Sequence, residues 1–391
     1  MTTASGEGPI MTRVAELDAL RAFAAVVILF FHLDTRRYFP GWSGVDLFFV
    51  LSGYLITSIL LRNLGEAGFL PRFYARRSLR IWPTYYLVLF ALVAVNPFLS
   101  TPASLKGLPY ALTFTQNIPL YWGKLPPAPH PGFDHAWTLA LEEQFYLIWP
   151  ALVLLVGRRK LPWLALAVIA LNLACRDGGN GVLPKYPERL LASRSDGFAL
   201  GGLLAWSLAD GAWARLRPEL AARAFGGAIA LASLYLLWGC WSYSALGFIG
   251  LPTPAWPAET IFAFGLLYAG VIGLVALHAG HPWLAPLRAG PLVYLGQISY
   301  GLYLYHVVVY WIVDGCDRLR LAQPWPIQAE KLALTLAVAV LSWHLIERPI
   351  ASWKDRFRYR KRESPPGPGA SAGVDSRGAG RLGSVKWRIN R

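Results

Sequence analysis

The sequence predicts an all-α protein embedded in a membrane, with about ten transmembrane helices. Of its 391 residues, 55% are hydrophobic and only 15% are Asp, Glu, Lys or Arg, whereas soluble domains average about 25% charged residues. Apolar runs recur along most of the chain at about the 17–25 residues that an α-helix needs to cross a bilayer. Such a chain has too little polar surface for several soluble domains, so its apolar surface is predicted to face lipid.

Ten apolar runs define the predicted membrane spans. The fifth and the sixth are shorter than the others. The approximate bounds are 15–33, 44–61, 79–98, 138–156, 161–175, 197–209, 222–244, 258–279, 292–313 and 326–346.

The distribution of basic residues predicts the orientation in the membrane. An even number of spans places both termini on one side, and the side richer in Lys and Arg is normally cytoplasmic. The side of the termini holds 25 of these residues, against 10 in the opposite loops. Both termini are therefore predicted to be cytoplasmic, in a multi-pass protein of the cytoplasmic (inner) cell membrane.

The net charge of +15 is concentrated near the C-terminus. Residues 351–391 contain 11 Lys or Arg and 3 Asp or Glu, a local net of +8, and residues 364–391 are predicted to be disordered because they are poor in apolar side chains. This distribution indicates contact with anionic membrane lipids rather than with nucleic acid. The predicted organisation is an N-terminal cytoplasmic segment (1–13), a transmembrane domain (14–350) and a basic, largely disordered cytoplasmic tail (351–391).

The predicted transmembrane domain carries no motif of a metal site or of a soluble enzyme class. The three cysteines, Cys175, Cys240 and Cys316, are far apart, and neither a CxxC nor an HExxH motif occurs. No metal site is therefore predicted. Within residues 14–350 a P-loop, a GxSxG elbow and a GxGxxG turn are missing as well, which argues against the soluble nucleotide-binding and hydrolase classes for this domain.

The first span, ELDALRAFAAVVILFFHLD, places Arg21 and His32 inside the membrane, where ionisable residues are costly and point to function. They are eleven residues apart, so they share one helix face and are separated by about 16 Å along the axis. Arg21, toward the cytoplasmic end, could hold an anionic group while His32 takes part in proton chemistry at the other end. The alternative is structural, with Arg21 extending to lipid headgroups and His32 capping the helix.

Three carboxylates lie near the predicted outer ends of spans. Asp46, in GWSGVDLFFVLSGYLI, is close to the height of His32 and could orient its imidazole, although an acidic residue is also favourable in a first helical turn. Glu142 and Glu143, in HAWTLALEEQFYLIWP, point about 100° apart, so at most one of them faces a given pocket. Glu142 is the candidate for the site, and Glu143 is the candidate for a partner contact.

An arginine cluster marks the cytoplasmic edge of the third span, in RFYARRSLRIWP. Arg76 and Arg80 share a helix face, and Arg77 lies beside them. Guanidinium groups bind phosphates bidentately, so Arg76, Arg77 and Arg80 are candidates for binding a nucleotide-bearing donor. Membrane topology alone would also place arginines at this edge.

The other histidines receive no predicted catalytic role. His306 lies inside the ninth span, in YGLYLYH. A solvated or structural role is favoured for the histidines in loops or near segment ends, which are His130, His135, His278, His281 and His344.

Seven sequence segments occur here in the order that one protein family has them. Together they resemble the membrane-bound acyltransferase 3 proteins, which O-acylate carbohydrates and related acceptors in bacterial envelopes, and the resemblance covers about residues 16–350. The segments are ELDALRAF…FFH, GVDLFFVLSGYLI, FYARRSLRIWPTYY, WTLALEEQFYLIWP, RSDGFALGG, ISYGLYLYH and IERP.

This resemblance implies an integral-membrane O-acyltransferase. It would move an acyl group from cytoplasmic acyl-CoA, of which acetyl-CoA is one candidate, to a hydroxyl of a carbohydrate or glycosylated acceptor. The resemblance makes His32 the general base and Arg21 its motif partner, and it assigns Arg77 and Arg80 to the coenzyme phosphates. Asp46 or Glu142 would hold the imidazole in the required tautomer. Many relatives add an SGNH-type hydrolase-like domain, which this chain is expected to lack.

A transporter is the alternative function from another class. It would export a lipid-linked or acylated sugar without chemistry, and intramembrane Arg, His and Glu residues suit transport as well as catalysis. The sequence shows no repeated halves with paired Gly- or Pro-broken helices, which would be the best pointer to a transporter. Release of free CoA thiol only in the presence of acceptor would distinguish the enzyme.

Overall fold

A computed structural model describes residues 14–99, 104–121, 130–177, 189–209, 217–248, 258–317 and 327–357. Within these residues the chain is helical and contains no β-strand, as the all-α prediction required. Of the predicted segments, 1–13 lies outside the described residues, as does 358–391 of the basic tail.

Ten helices of eight or more residues in the described part are labelled in chain order. They are α1 (Ala15–Leu33), α2 (Gly44–Arg62), α3 (Phe69–Val95), α4 (Trp137–Asp177), α5 (Asp196–Leu208), α6 (Pro218–Phe248), α7 (Ala258–Leu277), α8 (Gly290–Gln297), α9 (Ser299–Asp317) and α10 (Ile327–Ser342).

Shorter helical pieces connect these elements. Four are α-helical, namely Leu108–Leu112, Asn117–Tyr121, Leu191–Arg194 and Arg348–Ser352, and Trp343–Glu347 is a π-helical turn. The 3₁₀ turns are Phe39–Ser43, Asn96–Phe98, Leu105–Gly107, Pro131–Ala136, Pro282–Arg288 and Trp353–Phe357.

Each of the ten predicted spans coincides with helical structure, but the division into separate helices differs from the prediction in two places. The fourth and fifth spans are both parts of α4, which bends at Gly157, where the backbone takes a φ of 68°. The ninth span is broken into α8 and α9, whose axes are bent by 66°. A glycine accommodates the positive φ at the α4 bend because it has no Cβ atom.

Six helical segments are long and apolar enough to cross a membrane, or seven if α8 and α9 form one bent span. α1 is not among them because it carries Glu16, Asp18 and Arg21, and α5 is only 13 residues long. The total of ten spans and the cytoplasmic location of the termini therefore stay predictions. The six segments are Pro40–Arg62, Phe69–Phe98, Gly132–Arg176, Pro218–Ser242, Glu259–Leu277 and Ile327–Ser352.

Close approach of α2 and α5 forms the centre of the helix packing. A Cβ atom at Gly53 would overlap the carbonyl oxygen of Phe198, and one at Gly201 would overlap the carbonyl oxygen of Val50. Small residues at helix interfaces in membranes allow this approach. The Phe49 ring then stacks on the Phe198 ring, with their centroids 4.4 Å apart.

Two buried ion pairs tie α5 and the turn before it to the neighbouring helices. Asp46 of α2 accepts from Arg194 at 3.0 Å, and Asp196 of α5 pairs with Arg176 near the end of α4. All four side chains are at most 4% exposed. Buried charges need such partners because an isolated charge loses its hydration without compensation.

Candidate active site

A cavity lies between α1, α2, α3, α4 and α9. It contains about 680 Å³ of atom-free space, part of which is open to solvent. Its lining residues are Arg21, Val45, Phe48, Phe49, Leu51, Ser52, Arg77, Arg80, Ile81, Thr138, Leu139, Glu142, Tyr146, Ser299, Tyr300 and Tyr303. We call it the arginine cavity.

Three arginines from two helices give this cavity its charge. Arg21 comes from α1, whereas Arg77 and Arg80 come from adjacent turns of α3. Arg21 and Arg77 are half-buried and Arg80 is exposed, so all three keep free surface. Glu142 is the one carboxylate among the lining residues. The lining is therefore positively charged, and an anion would be stabilised in it.

The local contacts of these arginines leave hydrogen-bonding capacity unused. Arg21 pairs with Asp18 of its own helix at 3.5 Å. The Arg77 guanidinium lies over the Tyr146 ring, 4.1 Å from its centroid, and its buried Nε atom has no hydrogen-bond partner among the described residues. Among the lining residues themselves, three guanidinium groups face one carboxylate, that of Glu142.

Arg76 is placed away from the cavity. Its guanidinium donates to the carbonyl oxygen of Lys354 at 3.0 Å and to that of Phe357 at 3.4 Å. Arg76 thus holds the segment that follows α10 against α3. Of the three candidate phosphate-binding residues of α3, the structure brings Arg77 and Arg80 to the cavity and directs Arg76 elsewhere.

Glu142 and Glu143 point to different surroundings, as expected for adjacent helical residues. Glu142 lines the arginine cavity and accepts a hydrogen bond from Ser52 at 3.0 Å. Tyr146 donates to the same Ser52 hydroxyl at 3.0 Å. Glu143 instead accepts from the indole nitrogen of Trp82 at 2.9 Å. Only Glu142 is therefore available to a molecule in the cavity.

Three histidines form a cluster beside the cavity. The Nδ1 atom of His32 on α1 lies 3.2 Å from the Nε2 atom of His306 on α9, and the two ring centroids are 4.7 Å apart. The His135 ring, in the turn before α4, has its centroid 4.9 Å from that of His306. His135 and His306 are both buried. We call these residues the histidine cluster.

A pair of hydroxyl groups separates the histidine cluster from the arginine cavity. Thr138 and Tyr303 both line the cavity, and their oxygens are 2.5 Å apart. The Tyr303 hydroxyl donates to the carbonyl oxygen of His135 at 2.9 Å, and its ring lies 5.6 Å from that of His306. The wall between the two parts of the site is thus about one aromatic side chain thick.

The structure does not bring either expected carboxylate partner, Asp46 or Glu142, into contact with His32. Asp46 is engaged by Arg194 and Glu142 by Ser52, whereas the hydrogen-bonding neighbours of His32 are Ile28 and His306. The reason is that Asp46 lies on the face of α2 that packs on the Arg194 turn, where a buried cation requires it. Neither carboxylate holds the imidazole in this arrangement.

Sequence reasoning gave no catalytic role to His135 and His306, whose rings lie in one cluster with that of His32. One signal for His306 was available, because an ionisable residue inside a predicted span is costly unless it has a function or a partner. His135 gave no such signal, since it lies just before α4 and resembles a loop residue. The contact of the turn before α4 with α9 is what brings the His135 ring to His306.

Comparison with known proteins gives the family. The family model described as an acyltransferase domain, acyltransferase 3, matches residues 14–344. The chain belongs to the acyltransferase 3 family. This family assignment confirms the resemblance carried by the seven sequence segments. The arginine cavity and the histidine cluster are both contained in the matched residues.

Curated relatives of this acyltransferase 3 protein carry names of O-acetyltransferases. It is 29% identical to the peptidoglycan O-acetyltransferase OatA of Listeria monocytogenes, over 86% of this chain and 56% of the relative. It is 32% identical to YrhL of Bacillus subtilis, provisionally named a peptidoglycan O-acetyltransferase, over 85% of this chain and 54% of the relative. A provisionally named O-acetyltransferase of Staphylococcus aureus (strain COL) is 26% identical, over 87% and 57% respectively.

The chain spans little more than half the length of these curated relatives. No solved structure matches it.

Proposed function

We propose that the protein is an integral-membrane O-acyltransferase that moves an acyl group from acyl-CoA to a hydroxyl of a carbohydrate. The observation that carries the proposal is that Thr138 and Tyr303, which line the arginine cavity, also contact the histidine cluster that contains His32. Membership of the acyltransferase 3 family supports acyl transfer. The names of the relatives, which include peptidoglycan O-acetyltransferase, support acetyl as the acyl group and an envelope glycan as the acceptor.

The arginine cavity is the proposed site for the phosphates of the donor. Arg21, Arg77 and Arg80 can form charge-assisted, bidentate hydrogen bonds with phosphate oxygens, which are stronger than bonds between neutral groups. Partial burial strengthens them further because the local dielectric constant is lower than that of water. Arg21 and His32 lie about 16 Å apart along α1, so the extended arm of the coenzyme would run along this helix and past Tyr303.

His32 is the proposed general base. As the acceptor oxygen attacks the thioester carbonyl, its proton moves to a ring nitrogen of His32. The new C–O bond forms, the C–S bond breaks, and the CoA sulfur leaves with the electron pair and is protonated by the imidazolium. An acyl-imidazole intermediate on His32 is the second route, in which the nitrogen itself attacks the thioester. Both routes need an unprotonated nitrogen on His32.

The proposal is tested with purified protein in lipid nanodiscs, acetyl-CoA, and soluble peptidoglycan oligosaccharides as acceptor. The expected result is release of free thiol that depends on the acceptor, with a matching gain of one acetyl group per modified oligosaccharide in the mass spectrum. His32→Ala should lower the rate by about 10²–10⁴-fold, the contribution typical of a general base. An unchanged rate in His32→Ala would contradict the assignment of the base.

His278→Ala is the matched control for His32→Ala. The Nδ1 atom of His278 lies 3.0 Å from the Leu274 carbonyl oxygen, four residues earlier, as that of His32 does from Ile28. It lies in the loop after α7, outside the arginine cavity and the histidine cluster. Movement of an acetylated oligosaccharide across proteoliposomes without thiol release would instead support the transporter.

A further inference from the structure

We infer that His306 is a positioning residue, which holds His32 in the tautomer whose Nε2 atom is free to accept the proton of the acceptor hydroxyl. The inference rests on the proposed function, because it gives His32 the protonation state that a base requires. It replaces the expected carboxylate by a neutral imidazole. The sequence marked His306 only as an ionisable residue inside a predicted span, not as the partner of His32.

The first step fixes the protonation of His306. Its Nδ1 atom lies 2.6 Å from the carbonyl oxygen of Tyr303. A carbonyl oxygen only accepts hydrogen bonds, so Nδ1 must carry the proton. A neutral imidazole has one N–H group and one lone pair. Because His306 is fully buried, the neutral form is favoured, and the lone pair then lies on its Nε2 atom.

The second step transfers this constraint to His32. The Nε2 lone pair of His306 faces the Nδ1 atom of His32 at 3.2 Å, and the Ile28 carbonyl oxygen faces the same atom at 3.0 Å. Both neighbours are acceptors, so both require the proton of His32 to be on Nδ1. The remaining nitrogen of His32, Nε2, therefore carries the lone pair that a general base or nucleophile uses.

The third step concerns the charge that appears during the reaction. When His32 takes a proton on Nε2, its Nδ1–H group stays hydrogen-bonded to His306, which can stabilise the imidazolium. The rings around His306 are those of His135, Tyr303 and Tyr310, at 4.9, 5.6 and 5.8 Å. The Lys331 ammonium lies over the Tyr310 ring, and the Asp314 carboxylate pairs with that ammonium.

Of these groups around His306, none is placed between His306 and His32, whose ring nitrogens are 3.2 Å apart. His306 is therefore the side chain that accepts directly from His32.

His306→Gln and His306→Phe test the inference. The Oε1 atom of glutamine can accept from His32 Nδ1, whereas phenylalanine keeps the planar ring without an acceptor. We expect kcat for acetyl transfer to fall about 10- to 100-fold in His306→Phe, the contribution of one hydrogen bond to the imidazolium that forms on His32, because only the Ile28 carbonyl oxygen then faces Nδ1. In His306→Gln, kcat should stay within a few-fold of wild type. The KM for acetyl-CoA should not change in either variant, because His306 does not line the arginine cavity.

His278→Phe is the control for the loss of a histidine, since it removes a half-buried imidazole with the same type of bond to a preceding carbonyl oxygen. Membrane abundance and melting temperature are measured for every variant. If His306→Phe does not fold, His306→Asn takes its place, because its shorter amide cannot reach His32 and should also lower kcat relative to His306→Gln.

Several outcomes would overturn the inference. Equal losses in the variant that keeps an acceptor and the variant without one would show that His306 is only a packing residue. Full activity of His306→Phe would show that the Ile28 carbonyl oxygen alone is sufficient to position His32. Both results require an active wild-type protein. If the wild-type protein releases no thiol from acetyl-CoA in the presence of acceptor, the proposed function itself fails and the inference fails with it.

Discussion

The hydroxyl oxygens of Thr138 and Tyr303 lie 2.5 Å apart, on facing turns of α4 and α9. This contact closes the wall between the arginine cavity and the histidine cluster. Arginine side chains lie on one side of it, and imidazole groups lie on the other. A donor that reaches from the cavity to the histidine cluster must pass the Tyr303 side chain. Substitutions on the two sides of this wall should therefore affect donor binding and acyl transfer separately.

Tyr303→Phe should disturb the wall without opening it. The ring that packs on His306 is retained, and Thr138 keeps its bond to the His135 carbonyl oxygen at 3.2 Å. Loss of the tyrosine hydroxyl should therefore lower the free energy of unfolding by about 1 kcal/mol. Tyr303→Ala, which leaves a cavity, should lower it by about 3–5 kcal/mol. Unfolding of the purified variants in mixed micelles measures both values, and equal losses would contradict this account of the wall.

Arg77→Gln and Arg80→Gln should weaken donor binding. A hydrogen bond to a charged group contributes about 1.5–3 kcal/mol, so the KM for acetyl-CoA should rise about 10- to 100-fold, with a smaller effect on kcat. Arg72→Gln is the matched control, because Arg72 is on the same helix but pairs with Glu66 at 2.6 Å. Initial rates at several donor concentrations separate KM from kcat. An unchanged KM in both cavity variants would exclude this phosphate site.

Arg76→Gln tests whether Arg76 binds the donor, as the sequence suggested, or only holds the segment after α10, as its contacts indicate. Its guanidinium holds the backbone at Lys354 and Phe357, so we expect the KM for acetyl-CoA to stay within twofold of wild type, about 0.4 kcal/mol. Proteolytic cleavage after residue 350 should become faster, because the segment loses its attachment to α3. A rise in KM as large as that in Arg80→Gln would place Arg76 in the donor site after all.

The local sequence pattern was sufficient to locate the helices but not to predict which helices pack against each other. Apolar runs determine where helices form, and all ten predicted spans coincide with helical segments. The pattern around Arg76, Arg77 and Arg80 allows two helix faces, since residues three and four apart are both neighbours. Contacts of α3 with α4 and α9 select the face of Arg77 and Arg80, and a single sequence does not contain that information.

The contacts of the site join residues that are far apart in the chain. His32 and His306 are 274 positions apart, and Asp46 and Arg194 are 148 positions apart. Spacing within one helix predicted that Arg21 and His32 share a face, because both lie on α1. It could not show that α9 brings an imidazole to His32, or that the turn before α5 brings a cation to Asp46.

Asp46→Ala should affect stability more than donor binding. Removing one partner of a buried pair leaves an uncompensated charge, which costs about 3–5 kcal/mol. The double variant Asp46→Ala/Arg194→Ala should lose less than the sum of the two single variants, because the orphaned charge is gone. Denaturant unfolding of the four proteins forms the cycle. Full additivity would indicate that the pair, 3.0 Å apart, contributes no coupling.

Gly53→Ala and Gly201→Ala should loosen the packing of α2 against α5. In each case the new methyl group would overlap a backbone carbonyl oxygen of the other helix, and forcing extra atoms into a packed interface costs about 1–3 kcal/mol. Gly227→Ala on α6 is the control, because a Cβ atom there meets no other atom within 4 Å, and alanine is the better helix former. We expect lower melting temperatures for the first two variants and an unchanged or higher one for the third.

The same two variants should also lose acetyl transfer, because α2 carries Ser52, which binds Glu142 in the arginine cavity. A Gly201→Ala protein as stable as Gly227→Ala would show that α2 and α5 can separate without cost.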